Sequence, residues 1–263
     1  RDLRMSRGLG DVYKRQIMFN VRNGEIYMIK LKTFGSFTVG NGLTSVQEGA
    51  WRSEKLEKLF VYLAMNRNRG VCIEDISEAI WQVEEETDNP VGALKNLAYR
   101  LRKALRDASF GEECIVSVRG GLYKWNDDVE VTIDVEEFDR YINEAEMAFC
   151  RSKETAIESY EKAIALYHGD FLPLRTDTHW FMTLNAFYHS RYVNTVKALA
   201  KLYIDTGCYE KLEQLCTRAI VYERSDEQIY SYLIVARMRT KKVQMAFDTY
   251  ETCLLYTSDA ADE

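Results

Sequence analysis

The sequence predicts a mainly α protein with a small β component. An N-terminal winged helix-turn-helix is followed by an all-α, tetratricopeptide-like repeat domain. Three observations lead there. Residues 53–106 carry three successive helical patterns, the last of them basic on one side only. A connection of the type that closes a tight hairpin, Arg119-Gly120-Gly121, comes soon after. From Thr132 onward strand patterns vanish, and a helical motif recurs at an interval of 34 residues, a period typical of stacked helix pairs.

Ile26–Leu31 and Phe34–Val39 read as two short strands of β-branched and aromatic residues, interrupted by Gly35 and ended by Gly40-Asn41-Gly42. A helix over Ser53–Asn66 places Leu56, Leu59, Phe60, Leu63 and Ala64 at i, i+3, i+4, i+7, i+8. Cys72–Trp81 is a shorter helix with Ile73, Ile76 and Ile80 inward. The acidic loop Gln82–Asp88 then leads to Pro90–Arg106.

That last helix carries most of the functional information. It holds five basic residues and no acidic one. At 100° per residue, Leu94, Leu97, Ala98, Leu101, Ala104 and Leu105 fall on one face. Lys95, Asn96, Tyr99, Arg100, Arg102, Lys103 and Arg106 cover the opposite arc. Asn89 suits the N-cap, and Pro90 the first turn, where its missing N–H has no partner to lose. Such a helix fits a major groove, whereas a solvated surface helix is the competing reading. The surroundings favour the groove. Ile115–Val118 and Leu122–Trp125 flank the glycine pair as a hairpin, and Arg119 and Lys124 make it basic. Three helices followed by a basic-tipped hairpin define a winged helix, in which the third helix reads bases and the wing rests on the backbone.

The second half reads as helices at Asp134–Ala148, Thr155–Tyr167, His179–Asp205, Tyr209–Tyr222 and from a capping box at Ser225–Gln228 to Arg239. Ala156-x3-Tyr160-x2-Ala163 recurs as Leu212-x3-Cys216-x2-Ala219 and as Ala246-x3-Tyr250-x2-Cys253. The last two are 34 residues apart and the first two 56, which implies an insertion around Asp170–Thr183. An irregular helical bundle is the alternative.

Composition narrows the function. The chain has 263 residues and a net charge of −6, but nucleic-acid binding follows local patches rather than totals. Between Ala50 and Asn126, 12 Lys and Arg balance 12 Asp and Glu, so the basic helix is a segregated patch. The six cysteines show no CxxC pair, a pattern of reduced cytosolic thiols rather than disulfides or a zinc site. With His168, His179 and His189 they form no ligand set. No metal, cofactor or catalytic residue is expected, no nucleotide-binding or hydrolase signature occurs, and no run of residues is apolar enough for a membrane span. The expected location is the cytoplasm. Arg1–Gln16 and Cys253–Glu263 look like non-native, adapter-derived strings, although a basic arm is a second reading of the former. The domain reading is therefore 1–16 leader, 17–130 winged helix, 131–252 repeat domain and 253–263 tail.

Tyr99–Leu105 (YRLRKAL) and Val118–Trp125 (VRGGLYKW) resemble the winged-helix output domain of response regulators. The stretch through Ala163–Pro173 (AIALYHGDFLP) is similar to the bacterial transcriptional activator domain. The pair in this order resembles the antibiotic-regulatory-protein type of bacterial transcriptional activator. That resemblance implies head-to-tail protomers on direct repeats of double-stranded DNA, forming a homodimer there, and activation through RNA polymerase. It places the base-reading surface at Lys95, Asn96, Tyr99, Arg100, Arg102, Lys103 and Arg106, and the wing at Arg119–Leu122. The segment facing polymerase corresponds to the loop with Gln82, Glu84, Glu85, Glu86 and Asp88. The alternative function is a helical-repeat interaction scaffold whose winged helix is structural.

Overall fold

The computed structural model describes residues 28–42, 44–81, 89–110, 115–118, 121–127, 129–175 and 177–259. Its first half runs β1 (Ile29–Lys32), β2 (Thr38–Gly40), β3 (Ser45–Gln47), α1 (Glu54–Met65), α2 (Ile73–Ile80), α3 (Pro90–Asp107), β4 (Ile115–Val118), β5 (Leu122–Trp125) and β6 (Val131–Ile133). Helices follow: α4 (Asp134–Ala148), α5 (Lys153–Leu166), a 3-10 turn at Pro173–Arg175, α6 (His179–Thr206), α7 (Tyr209–Tyr222), α8 (Glu227–Arg239) and α9 (Val243–Asp259). The architecture is the expected one, a winged helix and then helical repeats.

One sheet has the order β3-β2-β1-β6, and β4 and β5 form a separate antiparallel hairpin. In β1, Ile29 and Leu31 are buried while Lys30 and Lys32 are exposed, the period-two alternation of a half-buried strand. Two sequence boundaries shift. The second strand starts at Thr38 rather than Phe34, because Gly35 turns the chain at φ +82° and Phe34 bridges to Phe171 instead. Val131–Ile133, assigned to the repeats by the sequence, pairs in parallel with β1 through Ile29↔Val131 and Leu31↔Ile133. The N-terminal sheet therefore continues directly into α4. The leader 1–16 and the start of the first expected strand, Ile26 and Tyr27, lie outside the described residues.

In the second half, successive helices pack on one another from α4 to α9. In the first two copies of the repeated motif all three positions are buried: Ala156, Tyr160, Ala163 and Leu212, Cys216, Ala219. In the third, Ala246 is buried but Tyr250 is 51% exposed. Helix α9 runs on through Cys253 to Asp259. The cap of α8 also differs from the expected box. Asp226, not Ser225, is the N-cap, and its Oδ1 accepts from the N–H groups of Gln228 (3.0 Å) and Ile229 (3.1 Å).

The two halves share a joint. Gly35 N–H donates to Asp170 O at 2.9 Å, and Leu172 N–H to Thr33 O at 2.9 Å. The glycines at this crossing pass back to back: a Cβ on Gly35 would sit 2.6 Å from His168 O, and one on Gly169 would sit 3.0 Å from Gly35 Cα. Phe34 is thereby seated among Phe138, Tyr167 and Tyr188, with ring centroids at 5.2, 4.9 and 5.7 Å. Beneath it, the buried Asp134 carboxylate accepts from Thr33 N (2.7 Å), Thr33 Oγ1 (2.6 Å), Phe34 N (2.9 Å) and Val135 N (3.0 Å). Burial raises its pKa while these donors pull the other way.

Charged pairs reinforce the joint. Helix α1 buries the expected stripe, and it buries Glu57 and Lys58 as well. Arg175 from the 3-10 turn pairs with Glu57 and lies 3.4 Å from Glu48. Lys58 pairs with Asp177 and, at 3.1 Å, with Glu54. Tyr62 packs edge-on to Trp180, and Thr178 Oγ1 donates to Ala79 O at 2.9 Å. The insertion around Asp170–Thr183 that breaks the repeat spacing is the part that docks on the winged helix.

Behind the joint, His189 stands between Asp170 (Nδ1 at 2.8 Å) and Glu223 (Nε2 at 3.1 Å). Its hydrogen bond to Asp170, ahead of the opposing burial and of Glu223, raises its pKa from 6.5 to about 9.

Two outcomes follow from these geometries. Gly35→Ala should destabilise the protein by ~1–3 kcal/mol for the left-handed backbone, plus a clash of similar size. Gly49→Ala, at φ +77° in open space, should show only the first part; equal losses in denaturant unfolding would refute the close crossing. For His189, folded-state protonation is favoured, so its stabilisation is complete below the unfolded pKa of 6.5 and lost as pH rises through about 9. The melting temperature should decline across that window, and His189→Gln should flatten the decline.

Candidate nucleic-acid interface

Helix α3 is built from its cap outward. Asn89 Oδ1 accepts from Gly92 N–H at 2.9 Å, and Pro90 begins the helix. A Cβ at position 92 would lie 2.7 Å from Asn89 Nδ2, so the small residue there leaves room for the cap. Leu94, Leu97, Ala98, Leu101 and Leu105 are buried against α1 and α2. Ala104, expected inward, is half-buried.

The opposite face is open. Lys95, Asn96, Tyr99, Arg100, Lys103 and Arg106 are all exposed in the presence of the second half of the chain. Arg102 stands apart from this set. It is half-buried and close to Tyr123 of β5, whose phenol is raised by burial and drawn back by the Arg102 guanidinium. Arg102 thus lies on the side of α3 nearer the wing. Val91, which the sequence pattern passed over, is 42% exposed on the first turn. By spacing it continues the apolar stripe, three residues before Leu94 and seven before Ala98, yet it is exposed on the first turn.

The wing is anchored rather than free-standing. Val71, just before α2, exchanges both backbone hydrogen bonds with Tyr123 at 2.8 Å, adding a bridge to the β4–β5 hairpin. Tyr123 and Trp125 point inward, and Gly121 takes φ +81° at the turn. Lys124 faces outward but pairs with Asp127 at 2.5 Å, which offsets part of its charge. Arg119 and Gly120 lie outside the described residues, as does the acidic loop with Gln82, Glu84, Glu85, Glu86 and Asp88. No group of three or more His, Cys, Asp or Glu among the described residues is placed to hold a metal ion. No described helix is long and apolar enough to cross a membrane.

Residues 133–259 match the bacterial transcriptional activator domain. That match covers the helical second half of the chain, behind the winged-helix unit. Among solved structures, the chain is similar to Mycobacterium tuberculosis EmbR in complex with a low-affinity phosphopeptide, with a TM-score of 0.67 and 17% sequence identity. The match covers 88% of this chain and 60% of that one, so this chain spans less than two thirds of its length. Comparison with curated proteins gave no sequence match. The activator-type family match begins at residue 133, where β6 ends and α4 starts.

Proposed function

We propose that the chain is a sequence-specific DNA-binding transcriptional regulator, an activator that binds direct repeats near promoters. The observation that carries this reading is the exposed face of α3, basic along its length while the other face is core. In this reading α3 enters the major groove through Lys95, Asn96, Tyr99, Arg100, Lys103 and Arg106. The wing, with Arg119, Gly120 and Lys124, lies on the adjacent backbone. Arg102 braces the wing against the reading helix. The loop Gln82–Asp88 contacts RNA polymerase, and two protomers sit head to tail as a homodimer on the DNA. The activator-type domain match and the EmbR-like fold support this assignment at the level of family and fold. The repeat domain, with 15 Lys and Arg against 22 Asp and Glu over Asp127–Cys253, is unsuited to phosphate and takes the role of assembly or regulation.

Binding of the whole chain to duplex DNA should weaken linearly in log–log salt, with a slope near −0.9 per phosphate neutralised. Asn96→Ala or Arg100→Ala should lose about 1–3 kcal/mol and relax base preference, while Arg119→Ala should weaken all sequences alike. Affinity that is flat in salt would instead favour the interaction-scaffold function.

On DNA carrying two half-sites one helical turn apart, the chain should bind cooperatively. Titration with identical affinity per half-site on single and tandem DNA would remove the head-to-tail homodimer from the proposal.

A further inference from the structure

Among the described residues of the winged-helix unit, three large apolar side chains are exposed: Met28, Val91 and Tyr99. Two of the three lie on α3, at 42% and 64% exposure: Tyr99 among Asn96, Lys103 and Arg100 opposite the buried stripe, and Val91 at the edge of that stripe, one turn before Lys95. Charge explains those neighbours as partners for phosphates and guanines, but it gives no role to the apolar pair. The floor of the major groove offers an apolar side chain one partner, the C5 methyl of thymine. We propose that Val91 and Tyr99 read thymine methyl groups in the operator, which deepens the DNA-binding reading above and rests on it.

The spacing fits that role. Eight residues at 1.5 Å each separate the two side chains by about 12 Å along the helix, or about three to four base pairs at 3.4 Å. Val91 lies on the first turn of α3, the part of a recognition helix that meets base edges, and Tyr99 lies at its middle, two turns further on. Asn96 precedes Tyr99 by three residues and shares its side of the helix, and its amide is suited to adenine. The half-site therefore contains an A·T-bearing core with thymines at two positions about three to four base pairs apart.

The test uses the full chain and a site selected from randomised duplex DNA. Each thymine is replaced in turn by deoxyuridine, which removes the methyl alone. Binding should weaken about fourfold at two positions per half-site, the worth of one buried methylene-sized group. Tyr99→Ala should abolish the thymine–uracil difference at one position and Val91→Ala at the other. Both variants should keep the salt slope of the parent, which shows that α3 is folded and docked. Tyr99→Phe should keep the discrimination. If Tyr99→Phe weakens all sequences equally, the hydroxyl holds a phosphate and the inference is wrong. Salt-dependent binding that ignores the thymine methyls everywhere overturns this inference alone, and the absence of salt-dependent binding overturns the functional reading with it.

Discussion

The crossing of Gly35 and Gly169 is the contact on which the rest of the structure depends. With no Cβ on either residue, the backbones approach closely enough for Gly35 N–H to reach Asp170 O at 2.9 Å. That approach seats Phe34 in its aromatic pocket and carries the 3-10 turn over α1. Arg175 and Asp177 then stand where Glu57 and Lys58 need partners. A buried charge without its partner costs several kcal/mol, so these pairs tolerate only one placement of the two halves. The LYHGDFLP segment is a joint, and its glycine, aspartate and aromatic residues each have a part in it. Tyr167 stacks on Tyr192 at 3.8 Å and donates its hydroxyl to Asp170, which also holds His189.

This docking does not cover the basic face of α3. The second half of the chain meets the winged helix on α1 and α2, where α6 packs against α2, and the outward residues of α3 stay exposed. In the proposed reading the acidic helical half is thereby held away from the phosphates that the basic helix approaches. A neutral unit with one basic face steers itself onto DNA better than a uniformly charged one, because the like-charged half adds no attraction and must be kept at a distance.

Local physics made much of this legible in the sequence. The 3.6-residue period, the Asn89–Pro90 cap and the glycine pair of the wing place α3 and the hairpin within a residue or two. The 34-residue interval marks the repeats. The misses share a cause: they depend on partners distant in sequence. Glu57 and Lys58 resemble the wet side of an amphipathic helix, yet each side chain is 2% exposed, because the partner of Glu57 lies 118 residues away. The three-residue strands β3 and β6 are too short for alternation to show. The insertion at Asp170–Thr183 was visible as a break in spacing, while its purpose as a joint was not.

Rigidity at the joint has a consequence for assembly on DNA in the proposed reading. A flexible linker between reading head and repeat domain would let neighbouring repeat domains meet across many half-site spacings, at an effective concentration set by linker length. Here no linker exists: β6 passes into α4 without a break, and Asp134 at that point is bonded to Thr33 and Phe34 of the N-terminal sheet. The orientation of each repeat domain is then fixed by the groove in which its α3 lies. Inserting half a helical turn between two half-sites swings one repeat domain to the far side of the duplex, and the joint has no slack to bring it back. Spacing specificity, in this arrangement, is a property of the Gly35–Gly169 crossing as much as of any surface between protomers.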